Sequence, residues 1–254
     1  MIGELSEQGA FMELHFINHA GCIFKNGEIS LLCDPWLQGT CFNEGWSLVS
    51  PSPEINWEKI NYIWFSHEHP DHFHPQSIKL IPEKFRSKIC IIYQETRDKK
   101  ILQWCKKEKF KVLELKEYEW VELSKNLRVK NGKMPNGDSW LLIDDGKTRF
   151  LNFNDCEIKD RRFGKHLQKK IGPVDVLATQ FSYASWVGDR REDRAECAKE
   201  KLSDLYRQES MFKPKNLFLF ASFSWFSHPE CQYNNDEINR IDKVYKDIKS
   251  NIRS

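Results

Sequence analysis

The stretch Phe65-Ser66-His67-Glu68-His69-Pro70-Asp71-His72 directly follows an apolar segment that predicts a strand over 62–66. Four candidate metal ligands, His67, His69, Asp71 and His72, fall within six residues on a loop that such a strand would hold rigid. Alternate side chains of an extended segment share a face, so His67 and His69 can grip one ion. The turn forced by Pro70 aims Asp71 and His72 at a neighbouring ion. Four of the chain's eight histidines are His67, His69, His72 and His74, a concentration that a polar surface loop does not require. His74 reads as solvent-exposed or as a support for the ligands.

Outward from this loop, apolar and alternating segments predict further strands over 13–17, 29–34, 88–93, 111–115, 127–130, 140–144, 149–153, 175–179 and 217–222. Several are near-continuous apolar runs, the pattern of strands covered on both faces. Helical patterns fall at 98–108, 159–171, 191–209 and 236–248. The third carries Ala195, Ala198, Leu202 and Leu205 on one stripe with charge elsewhere, as a helix lying on a sheet would. A length of 254 residues can bury one substantial core or two small ones, and no repeat or low-complexity linker divides it. The expected architecture is α/β (α+β): a single domain over 1–254, two sheets face to face with helices outside, its core over about 12–235 and a closing helix at 236–248.

Composition excludes several classes of function. The 39 Lys and Arg nearly balance 37 Asp and Glu with signs intermixed, which argues against nucleic acid as the main partner. The longest apolar runs are near the length of Leu217-Phe218-Leu219-Phe220-Ala221, far short of the roughly 20 residues of a membrane span. No basic and apolar leader pattern opens the chain, so a cytoplasmic location is expected. Eight cysteines without a CxxC pair then read as small apolar residues in a reducing compartment, and Cys156 as packed. There is no phosphate-binding glycine loop, so no bound nucleotide cofactor is expected.

The HxHxDH loop resembles that of the metallo-β-lactamase superfamily, whose fold is a four-layer αββα sandwich. That resemblance implies further ligands from the segments ending at Asp155 and at His228. Asp34-Pro35-Trp36-Leu37-Gln38-Gly39, the stretch through Phe42 to Gly45-Trp46, LNFNDC ending at Cys156, and the SHPE segment at His228 are similar to the metal-binding domain of the CMP-N-acetylneuraminate hydroxylase family, over roughly 12–235. The resemblance implies an oxygen-dependent hydroxylase. It also implies a Rieske module, for which no C-x-H and C-x-x-H pair is present, so electrons are expected from a separate donor protein or from the substrate. Where the family pattern has a mid-chain histidine this chain has Met134, with no histidine between His74 and His166. A thioether is a poor ligand for iron(II) or zinc, so Met134 reads as a wall residue; Asp138 could substitute or be a turn residue beside Gly137.

The resemblance thus implies one ion on His67, His69 and a bridging Asp155, and a second on Asp71, His72, His228 and the same carboxylate. Two histidines and a carboxylate suit non-haem iron, so two metal ions are expected with iron favoured and zinc or manganese as alternatives. The favoured activity is oxygenation of a small polar metabolite such as an amino sugar, sugar nucleotide or amide. Zinc-dependent hydrolysis of an ester, lactone or phosphodiester is the alternative, and a decayed binding module the third. His19, in a turn between strands, is either an active-site hydrogen-bonding group or a buried structural one. Asp34 is a candidate to orient a ligating histidine or a turn residue before Pro35. Asp71, His19 and Asp34 are accordingly the candidate catalytic residues. The aromatic stretches at 181–186 and 223–226 are expected either to wall the cleft or to fill the core.

Overall fold

The computed structural model describes residues 12–251; the ends of the expected domain, residues 1–11 and 252–254, lie outside the described residues. The chain begins with β1 (Glu13–Asn18), β2 (Gly21–Asn26) and β3 (Ile29–Cys33), an antiparallel meander. Two short strands follow, β4 (Thr40–Cys41) and β5 (Trp46–Leu48). Then β6 (Tyr62–Trp64), β7 (Cys90–Gln94) and β8 (Lys111–Leu115) extend the first sheet from β3, all in parallel. The second sheet comprises β9 (Trp120–Ser124), β10 (Leu127–Lys133), β11 (Ser139–Asp144) and β12 (Arg149–Asn154), antiparallel, with β13 (Val176–Gln180) and β14 (Asn216–Phe220) added in parallel to β12. β15 (Ser224–Phe226) pairs with β5, which pairs with β4, in a separate ribbon.

Alternation along the strands builds four layers. Leu31 and Cys33 of β3 meet Leu141 and Ile143 of β11 between the sheets, with Phe24, Trp64, Ile92 and Phe150 around them. The intervening Leu32, with Ile63 and Ile91, turns the other way to pack under α1 (Pro75–Lys79), α2 (Glu83–Arg86) and α3 (Lys100–Lys107). Leu142, Leu151 and Leu177 likewise turn out from the second sheet to meet Leu167 and Ile171 of α4 (Arg161–Ile171) and Phe212 of α5 (Arg191–Phe212). A one-residue change of register would exchange these faces, so the apolar pattern of each strand specifies its place in the αββα stack.

Most predicted strands are present with their ends moved by a residue or two. The strand β2 departs from expectation: the turn before it places His19 at φ 32, a left-handed conformation that turn chemistry usually assigns to glycine or asparagine. The closing helix is also displaced. Residues 236–248 were expected to be continuous, yet a 3-10 segment, Gln232–Glu237, ends before α6 begins (Ile241–Asn251). Asn239 sits in the break and is held by distant parts of the chain: its backbone N–H donates to Ser182 Oγ and its Nδ2 to the carbonyls of Phe181 and Ala198.

The parallel strands matter most for function. β3, β6 and β7 of one sheet and β12, β13 and β14 of the other carry Asp34, the 66–72 loop, Gln94, Asp155, Gln180 and Ala221 at or just past their carboxyl ends. Open sheets place ligand sites beyond these ends.

Candidate metal centre

The residues flanking this edge are held in unusual backbone conformations. His19 (φ 32), Asp34 (φ 40), Asn154 (φ 36) and Ala221 (φ 46) are all left-handed without being glycine, and Ala221 N donates to His19 O at 3.1 Å. Each such conformation costs on the order of 1 kcal/mol, a cost the surrounding structure offsets where side chains must be aimed.

Behind the loop, Asp34 acts as a brace. Its Oδ1 accepts from Ser66 N at 2.8 Å and its Oδ2 from His72 Nδ1 at 3.0 Å. Ser66 Oγ lies 2.9 Å from His67 Nδ1 and 3.0 Å from His72 Nδ1. With both Nδ1 atoms engaged, the Nε2 atoms of His67 and His72 face forward as lone-pair donors in the neutral rings. Trp36 packs between His19 and His74, at ring separations of 5.7 and 6.2 Å. The Asp34–Gly39 segment is therefore the backing of the metal loop, which explains its place beside the HxHxDH signature.

Three groups of ligand atoms, each within 4.8 Å of one another, form among the described residues: His67, His69 and Asp138; His67, His72 and Asp155; and His19, Asp71 and His72. Asp155 Oδ2 lies 3.2 Å from His72 Nε2 and 4.0 Å from His67 Nε2, between the two sides. Asp138 Oδ1 is 3.8 Å from His67 Nε2. The turn carrying Asp138 is tied to the histidine loop by Gln94 Nε2, which donates to the carbonyls of Ser66 and Gly137, and by Ser139 Oγ, which donates to the Ser66 carbonyl. Met134 is buried in the outer core with Trp140 and Phe153 and does not line the cavity, so it is a core residue and not the expected wall residue. Asp138, not a sulfur, stands with the histidine pair.

The structure departs from the expected ligand set at His228, which belongs to none of these groups. β15 pairs with β5 and carries the following residues with it: Ser227 N donates to Gly45 O at 2.8 Å, and His228 Nδ1 accepts from Glu230 N at 3.2 Å. His19 reaches the centre instead, its Nε2 3.1 Å from Asp71 Oδ2. His74 is buried rather than solvent-exposed; it caps α1, accepting from Ser77 N at 3.2 Å. Cys156 is packed, as expected, and burial pushes its thiol pKa up.

Some of these atoms have no hydrogen-bond partner within the protein. Nε2 of His67 and Oδ1 of Asp71 are buried and unbonded, and Nε2 of His72 faces only the carboxylates of Asp155 and Asp71. Orphaned polar atoms are rare in cores, and a cluster of them beside three carboxylates is the donor set that one or two cations would satisfy. The electrostatics agree. Burial, reinforced by the nearby His72 charge, pushes His67 down to about 4, leaving a neutral imidazole. For His72 burial also acts downward, but Asp155, Asp71 and Asp34 outweigh it and hold the ring protonated when no cation is present. Burial acts upward on Asp155, yet His72 prevails and draws it to about 2. Asp138 is raised, by burial and then by the charge of Asp155.

The centre opens into a cavity of about 880 Å³ reached by His69, Asp71, Asp138 and Asp155. Phe42, Trp46 and Trp186 line one part of it, and the polar face of α5, with Lys201, Asp204 and Arg207, another. Of the aromatic stretch at 181–186, Trp186 with Ala184 and Ser185 walls the cavity, while Phe181 and Tyr183 are buried elsewhere. The stretch at 223–226 packs instead: Phe226 against Trp46 and Phe223 against Phe16. Asn136, Gln180 and Lys201 also reach this site. Asn136 is signalled by its place two residues before Asp138; the other two lie far from the histidine loop in sequence and carry no local signal.

A layered sandwich with histidine and carboxylate groups converging at the strand ends defines a protein of the metallo-β-lactamase fold. Residues 13–188 match the family described as beta-lactamase superfamily domain, and the chain belongs to that family. A Mycobacterium tuberculosis protein provisionally named a Rieske 2Fe-2S iron-sulfur protein is 24% identical over 262 residues, covering 93% of this chain and 48% of that one. The cytidine monophosphate-N-acetylneuraminic acid hydroxylase of Xenopus laevis is 28% identical over 159 residues, covering 59% of this chain and 26% of its own length. The chain thus spans about half, or less, of the length of these curated relatives. Among solved structures, CmlA, a diiron β-hydroxylase from Streptomyces venezuelae, superposes with a TM-score of 0.61 at 12% identity, over 84% of this chain and 45% of that one. A candidate metal-dependent hydrolase from Veillonella parvula gives 0.65 at 14% identity, over 95% of this chain and 93% of that one.

Proposed function

We propose that this protein is an iron-dependent oxygenase that hydroxylates a small polar metabolite held in the 880 Å³ cavity. The observation that carries this reading is Asp138 beside His67 and His69, where a third histidine would complete a zinc-type set. Two histidines and one carboxylate are the ligand set of non-haem iron(II) oxygenases. His67, His69 and Asp138 would hold one ion, and Asp71, His72 and Asp155 the other, with Asp155 placed between them. Bound there, iron would supply the activation of dioxygen. The chain's own contribution is to aim the lone pairs through Asp34 and Ser66 and to hold the substrate between Trp186 and α5. Names among the relatives, a diiron hydroxylase and a sugar-nucleotide hydroxylase, support the reading. Eight free cysteines suit a reducing, cytoplasmic setting. No helix among the described residues is long and apolar enough to cross a membrane.

The second reading, a zinc-dependent hydrolase, is favoured by the Veillonella structure, which matches nearly end to end. One experiment separates the two. Protein loaded with iron or with zinc is assayed for oxygen consumption with a chemical reductant and for turnover of lactone, ester and phosphodiester panels. Oxygen uptake by the iron form alone supports the oxygenase; hydrolysis by the zinc form without oxygen uptake replaces it with the alternative.

A further inference from the structure

Asp71, Asp138 and Asp155 share a feature that their positions in the sequence do not suggest. Each has one carboxylate oxygen in contact with a side-chain nitrogen, of His19, Asn136 or Gln180. His19 Nε2 lies 3.1 Å from Asp71 Oδ2, Asn136 Nδ2 is 2.5 Å from Asp138 Oδ2, and Gln180 Nε2 is 3.4 Å from Asp155 Oδ1. For Asp138 and Asp155 the other oxygen faces the histidines: Asp138 Oδ1 is 3.8 Å from His67 Nε2, and Asp155 Oδ2 lies between His67 and His72. For Asp71 the oxygen that meets His19, Oδ2, is also 3.4 Å from His72 Nε2, while Oδ1 is buried without a partner.

We infer that Asn136 and Gln180 are positioning residues that restrict Asp138 and Asp155 to offering a single oxygen each to the metal centre, and that His19 is a positioning residue that anchors Asp71 beside His72. This rests on the metal-centre reading above. The restriction has a chemical purpose: a carboxylate that cannot swing both oxygens onto an ion leaves space on that ion for substrate or a small co-reactant. The amides themselves are oriented. Gln180 Nε2 also donates to Ala221 O at 3.1 Å, and Lys201 Nζ donates to Gln180 Oε1, so the amide cannot flip to present its oxygen to Asp155. Lys201 is in turn shared with Glu157 and lines the substrate cavity. His19 is fixed by its left-handed backbone and by the Ala221 N–H to its carbonyl. On this assignment His19 is a donor to Asp71 and not a ligand.

The test uses the full chain loaded with cobalt(II), whose visible absorption weakens as the number of coordinating atoms rises. Wild-type protein is compared with Asn136→Ala, Gln180→Leu, His19→Phe and His19→Gln by absorption spectroscopy and by chelator competition. Asn136 is exposed on a turn, so its variant should fold even if a change at the buried His19 does not. The expected result is a weaker visible band in Asn136→Ala and Gln180→Leu, with cobalt affinity lowered by about 10- to 100-fold. His19→Gln, which keeps an amide N–H near the position of Nε2, should retain the wild-type spectrum. Unchanged spectra and affinities in Asn136→Ala and Gln180→Leu would overturn the inference while leaving the metal centre standing. So would a His19→Gln variant that loses an ion, since His19 would then be a ligand. A wild-type protein that binds no cobalt would overturn both.

Discussion

Asp34 Oδ2 lies 3.0 Å from His72 Nδ1, and neither side chain has any exposed surface. A buried carboxylate in this position selects one tautomer of the ring and holds it against rotation, leaving Nε2 for a cation. Asp34→Ala removes both that brace and the acceptor for Ser66 N. Metal affinity should fall by about 10- to 100-fold, measured by chelator competition, while Asp34→Asn, which keeps an acceptor oxygen, should lose less.

Asp138 should decide which metal is retained. Asp138→His would give His67 and His69 a third imidazole, the set that suits zinc. Elemental analysis of protein made with both metals supplied should show the zinc-to-iron ratio rising in Asp138→His relative to wild type, and total metal falling in Asp138→Ala. An unchanged ratio in both variants would remove Asp138 from the centre.

His228→Ala should leave metal stoichiometry unchanged, because the ring lies with the β4–β5–β15 ribbon and its Nδ1 accepts from Glu230 N. The change in stability should stay within about 0.5 kcal/mol, as for other surface substitutions. His72→Ala, by contrast, should lose at least one ion. Equal losses in the two variants would restore His228 to the ligand set.

What could be read from the sequence divides along a physical line. Strand identity and the four layers were legible because alternation at Leu31, Leu32 and Cys33, or at Leu141, Leu142 and Ile143, encodes two buried faces directly. His67, His69, Asp71 and His72 were legible because they sit on one continuous loop. Asp138 remained one of two readings, since a ligand and a turn residue beside Gly137 look alike until the Ser66–Gln94–Ser139 bonds pull the turn inward. His228 falls in none of the ligand groups, and spacing does not reveal that β15 pairs with β5. Gln180 and Lys201 were invisible: Gln180 meets Asp155 from a later strand and Lys201 meets Gln180 from a later helix, through tertiary contacts alone.

The pH dependence of the metal-free protein should carry the mark of His67. Its pKa falls from 6.5 to about 4 on folding, so between those values the unfolded chain binds a proton that the native state refuses. Stability is therefore lost as pH falls from 6.5 toward 4, by as much as roughly 3 kcal/mol. His72, whose pKa is raised, is protonated in both states below 6.5 and adds little there; its own contribution fades only as pH rises through its folded value. The raised Asp138 offsets part of the loss at the acid end of the window. Thermal unfolding of metal-free wild type against His67→Asn should show a steeper fall in Tm over this window for wild type. Parallel curves would mean that the buried ring is not what titrates.

The most direct test of the account is anomalous diffraction at the iron and zinc edges from crystals of protein purified from iron-supplemented cells. The account predicts iron at two positions separated by about 3.5 to 4 Å. One would be bounded by His67, His69 and Asp138, the other by Asp71 and His72, with Asp155 between them and His228 on neither. Zinc alone at these positions, or an ion bound by His228 with Asp138 turned away, would contradict it.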